Sequence, residues 1–154
     1  MSPDVIIGNH QQRVGIPEAW LTALEQTAGD AVRLALERAA GDESPLALLG
    51  TVEVALVDDA MIDGVHREFM DVEGATDVIT FHHGEIVISA ETALRNAAEY
   101  HESPAREILR YFVHGLLHLA GHDDRDAASR TRMEAAQEEI VAGLWTKTLA
   151  DRIG

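Results

Sequence analysis

The segment His114-Gly115-Leu116-Leu117-His118-Leu119-Ala120-Gly121-His122-Asp123-Asp124 constrains this chain more than any other. His114 and His118 are spaced so that, on a helix, they share one face one turn apart, and both imidazoles can reach one cation. Their neighbours Phe112, Val113, Leu116, Leu117, Leu119 and Ala120 are apolar, which predicts a buried helix. Imidazole nitrogens taken out of water there are costly unless something binds them. A metal ion is the simplest such partner.

A continuous helix would hold His114 and His122 roughly 12 Å apart, at about 1.5 Å per residue. Zinc–nitrogen bonds of about 2 Å cannot span that gap. The chain must therefore turn back after His118. Gly121 suits the turn, because a glycine just past a helix adopts the left-handed conformation without a Cβ clash. Beyond it, His122, Asp123 or Asp124 can complete the set. Three protein ligands with an open fourth position are the pattern of a catalytic zinc, whereas four closed ligands are structural.

A chain of 154 residues predicts one domain, residues 1–154, with a proper core. It has no cysteine, so thiolate zinc sites and disulfide frameworks are excluded. No apolar run reaches the length of a membrane span and no signal-peptide core is visible, so a cytoplasmic protein is expected. Net charge is −15, from 27 acidic against 12 basic residues, which opposes non-specific binding to nucleic acid. Arg106, Arg110, Arg125, Arg130 and Arg132 nevertheless cluster around the histidine segment.

Along the chain, Asp4–Gly8 reads as a short strand. Pro17 opens a helix from its tolerated first position, followed by a helical period from Trp20 through Leu24, Ala28, Val32 and Ala35 to Ala39. Residues 41–45 read as a loop, and Thr51–Val57 alternates as a strand with Val52, Val54 and Leu56 on one face. Asp58 is a candidate cap for a helix whose apolar set is Met61, Ile62, Val65 and Phe69. After a loop at Asp71–Gly74, the strand Val78–Phe81 turns through His82-His83-Gly84 into Glu85–Ile88, a short link that predicts an antiparallel hairpin. Ser89 and Ser103-Pro104 start two further helices, and a last one runs from about Asp126 to Leu144 with Met133, Ala136, Ile140 and Leu144 inward. The expected fold is α+β, a small mixed four-stranded sheet covered by about five helices.

With these residues in place, the chain resembles the YbeY family of metal-dependent endoribonucleases over roughly residues 46–141. The family signature H-G-x-L-H-L-x-G-Y-D-H stands here as HGLLHLAGHDD. Thr76-Asp77-Val78-Ile79-Thr80-Phe81 is similar to the family's P-T-D-V-L-S-F, and Gly84-Glu85-Ile86-Val87-Ile88-Ser89 to its G-D-I-V-I-S. Arg106-Glu107 falls where the pattern often carries the same pair. The resemblance implies a metal helix like that of zinc metallopeptidases. It also implies one zinc ion per chain, single-stranded or ribosomal RNA as substrate, a role in ribosomal RNA maturation, and small-subunit ribosomal proteins as further partners.

Two departures from the family matter. The family's last histidine is Asp124 here and its tyrosine is His122. Asp124 can ligate zinc and matches the third-ligand spacing of metzincin peptidases, some of which use aspartate, so the resemblance favours His114, His118 and Asp124 as ligands. His122 remains a candidate catalytic residue. Met70 stands where the family carries an arginine implicated in activity, and methionine cannot hold a phosphate. Arg67, on the same predicted helix face, is the expected substitute. Two other functions compete: a zinc peptidase, disfavoured because Gly115 replaces the glutamate of H-E-x-x-H, and a metal-stabilised RNA- or protein-binding module.

Overall fold

A computed structural model describes residues 3–40, 44–70 and 77–153, the side chain of Met70 excepted. The Asp71–Gly74 loop, Thr76 and Gly41–Glu43 thus lie outside the described residues. The strands are β1 (Asp4–Asn9), β2 (Thr51–Val57), β3 (Val78–Phe81) and β4 (Glu85–Ser89). They form one mixed sheet in the order β1-β2-β4-β3. β1 and β4 each run parallel to β2, and β3 pairs antiparallel with β4 as the predicted hairpin. Gly84 closes that hairpin at φ +110°, where a Cβ would meet the Thr51 carbonyl oxygen at 2.8 Å. Only glycine fits there.

The helices are α1 (Glu18–Glu37), α2 (Pro45–Leu48), α3 (Asp59–Met70), α4 (Ala90–Glu99), α5 (Pro104–Leu119), α6 (Ala127–Leu144) and α7 (Lys147–Ile153). The short α2 and α7 were not expected, because neither carries enough periodic sequence to register as a helix. Pro17 is the cap of α1 rather than its first residue. The side chains of Asp58, Ser89, Ser103 and Asp126 cap α3, α4, α5 and α6 by accepting from the amides of Met61, Thr92, Arg106 and Ser129. No described helix is long and apolar enough to cross a membrane.

Alternation in the central strands assigns the two sheet faces. Val52, Val54, Leu56, Ile86 and Ile88 face the main core with α1 and α5, while Val57 and Val87 face a smaller cluster with Ile62 of α3. α5 is the central helix: it packs on α1, α4, α6 and the β3–β4 hairpin. Between Tyr111 and Ala120 every residue is buried except His114 and His118. The expected apolar set of α3 is only partly right. Ile62 is buried, but Met61 and Phe69 are 54% and 61% exposed and border an open apolar groove with Ile6. α3 sits most closely over β3 and β4, where the Phe69 ring meets Phe81 edge-on, and an open groove lined by Ile6 of β1 and Ala55 of β2 leaves Met61 and Phe69 largely uncovered.

Candidate metal centre

The helix carrying the two histidines ends as its sequence requires. Gly121 adopts φ +99°, its amide donates to the His118 carbonyl at 3.1 Å, and the His122 amide donates to the Leu117 carbonyl at 3.0 Å. This pair of bonds is a Schellman termination, which folds the chain back over the last turn of α5. The reversal brings Asp124 to the histidines. One ligand atom from each of His114, His118 and Asp124 lies within 4.8 Å of the other two. Donors sharing one tetrahedral zinc stand about 3.3 Å apart, so each side chain needs a shift of under about 1 Å to grip an ion.

Both imidazoles are held in the tautomer a metal needs. Nδ1 of His114 lies 2.8 Å from Oε1 of Gln137 on α6, an oxygen that only accepts, so Nδ1 carries the proton. Nδ1 of His118 likewise donates to the His122 carbonyl at 3.1 Å. The two Nε2 lone pairs are left for a cation. Burial, and then the neighbouring His114, hold the His118 pKa below its ordinary value against the opposing pull of Asp124. That ring is therefore neutral near pH 7. Two imidazoles and a carboxylate are a donor set suited to a divalent ion.

His122 is engaged elsewhere. Its Nε2 donates to the Arg38 carbonyl at the end of α1 at 2.6 Å, and the Ala40 amide donates to the Ala120 carbonyl beside it at 3.0 Å. The ring pins the reversal to α1 while the backbone orients His118. His122 still borders a cavity of about 520 Å³ that opens over the ligand atoms, with walls from α3, β3, α5 and the α5–α6 link. Thr80 also borders it, and its buried Oγ1 has no hydrogen-bond partner among the described residues.

Arg67 does not border this cavity; its guanidinium pairs with Asp63 at 2.8 Å. His66, one residue earlier, does border it, as do His82, Asp77 and Arg125. No sequence pattern singles out His66; the packing of α3 against β3 brings it to the cavity. His82 and His83 lie in the predicted hairpin turn, and both are exposed. Gly115 faces the sheet. A Cβ there would stand 2.8 Å from Ile86 side-chain atoms, so the glycine serves close packing and opens no space at the metal.

The comparisons with known proteins agree with this architecture. The model of the family described as Endoribonuclease YbeY matches residues 7–144. The Endoribonuclease YbeY of Moorella thermoacetica is 36% identical, over 90% of this chain and 95% of that protein. Its counterpart in Pelotomaculum thermopropionicum is 34% identical, over 91% of this chain and 96% of the relative. The solution structure of TM1509 from Thermotoga maritima superposes with a TM-score of 0.63 at 25% identity, covering 95% of this chain and 93% of its own. A match along almost the whole chain, in sequence and in fold, shows that this chain belongs to the YbeY endoribonuclease family.

Proposed function

We propose that the chain is a zinc-dependent endoribonuclease of the cytoplasm, acting as a single domain on single-stranded RNA in ribosomal RNA maturation and ribosome quality control. His114, His118 and Asp124 hold one zinc ion. The observation that carries this reading is the meeting of two tautomer-fixed imidazoles and a carboxylate at the mouth of a polar cavity. When bound, a divalent ion supplies Lewis acidity to a phosphoryl oxygen.

The chain's own residues do the rest. Cleavage joins an oxygen nucleophile to phosphorus and breaks the bond to a sugar oxygen, which leaves with a proton. His66, His82 and Asp77 border the cavity and put imidazole and carboxylate groups, the usual proton acceptors and donors, within it. The peptidase reading is weaker, because a glutamate at position 115 would have to displace Ile86 from the core.

Metal analysis joined to an RNA cleavage assay tests the proposal. Wild type should hold one zinc per chain and cut single-stranded RNA. His118→Ala and Asp124→Ala should lose the metal and at least about 100-fold in rate, since a metal contributes several kcal/mol to such chemistry. Metal loss in His122→Ala with retention in Asp124→Ala would replace the third ligand. Full metal content without cleavage would leave a binding module.

A further inference from the structure

We propose that Arg125 is the residue that engages the scissile phosphate in this chain. The inference rests on the endoribonuclease reading and adds to it the cation which that chemistry requires. A phosphodiester brings one negative charge into the cavity, and more builds on its oxygens as the bond breaks. The cavity is itself acidic, bordered by Asp77, Asp123 and Asp124. Among its described lining residues, Arg125 is the only lysine or arginine.

Its surroundings fit the role. Arg125 directly follows the proposed ligand Asp124 on the link between α5 and α6. The link is fixed on both sides: the Asp123 carboxylate accepts from the Arg125 amide at 3.2 Å, and Asp126 caps α6. The Arg125 side chain itself is exposed and makes no ion pair among the described residues. A guanidinium with five free donors beside a metal site can bind two phosphate oxygens at once. Arg67, by contrast, is spent on Asp63, and Arg110 is bound by Glu102, Glu107 and Glu138.

The test compares zinc-loaded wild type, Arg125→Ala, Arg125→Lys, Arg67→Ala and the charge control Arg130→Ala. Binding of a cleavage-resistant 2′-O-methyl phosphorothioate single strand is measured by fluorescence anisotropy across salt concentrations, and cleavage of the natural strand by kcat. Arg125→Ala should bind more weakly, with a salt slope shallower by about 0.7, the value for one lost phosphate contact on a single strand. Its kcat should fall about 100-fold, the usual cost of removing one stabiliser of developing charge. Arg125→Lys should recover part of both, and zinc content and melting temperature should match wild type. Wild-type binding and kcat in Arg125→Ala, or losses of equal size in Arg67→Ala or Arg130→Ala, would overturn the assignment. Binding that depends on Arg125 without any cleavage would uphold the phosphate contact and remove the endoribonuclease reading. A wild type that neither binds nor cleaves would remove both.

Discussion

His114 is oriented by a chain of side chains that ends in a cluster of charges. Gln137 accepts from its Nδ1 and donates its own amide to Glu138 at 3.0 Å. Glu138 binds Nε of Arg110 at 2.9 Å, and Arg110 also binds Glu107 and, at 2.7 Å, Glu102. Burial opposes the charge on Arg110, but its three carboxylates outweigh that and raise its pKa. Arg110 in turn holds Glu102 below the usual carboxylate range. The amide of Gln137 is thus tied at both ends, which fixes the ring it serves. Losing such an outer partner typically costs 10- to 100-fold in metal affinity. Gln137→Leu should therefore weaken zinc binding by about that factor in a competitive chelator titration, and Gln137→Glu should recover much of it by restoring an acceptor. Equal affinities in all three proteins would show that the contact is idle.

At the scale of elements, α5 and β4 are brought close by a residue that has no side chain. Alanine at position 115 gains up to about 1 kcal/mol in helix propensity. Its Cβ, however, would lie within 3 Å of several Ile86 atoms in the buried core, and overpacking of that kind costs about 1–3 kcal/mol. Gly115→Ala should therefore be net destabilising in urea unfolding. Combined with Ile86→Ala, it should cost less than the two single changes added together. A more stable Gly115→Ala protein would refute this account of the packing. The same scale explains the misread stripe of α3. A helical period reports which side of a helix is apolar but not how closely that side sits on the sheet, and Met61 and Phe69 stay exposed along an open groove lined by β1 and β2.

At the scale of the whole molecule, the proposed ion joins the end of α5 to the link that follows it, and the Gln137 contact brings in α6. Anything that binds only the folded state stabilises it by mass action, by about 2.7 kcal/mol at a hundredfold excess over Kd. For a chain of this size that is worth roughly 5–10 °C in Tm. Chelation should lower the melting temperature by about that amount. An unchanged melting curve, with metal removal verified, would separate folding from the site.

The sequence by itself determined what depends on residues close along the chain. Capping by Ser89, Ser103 and Asp126, the left-handed turn at Gly121, the paired histidines and the alternation of β2 are all set within a few residues. Each is a local steric or hydrogen-bond choice and leaves a local pattern. Only the tertiary structure decided which groups meet across long separations. His122 is drawn to Arg38, 84 residues away, while Asp124 stays beside His118. Gln137 reaches His114 across 23 residues, Gly115 lies against Ile86, and Arg125 rather than Arg67 borders the cavity. Those outcomes follow from how whole helices pack on the sheet, because packing sets the direction in which each side chain points.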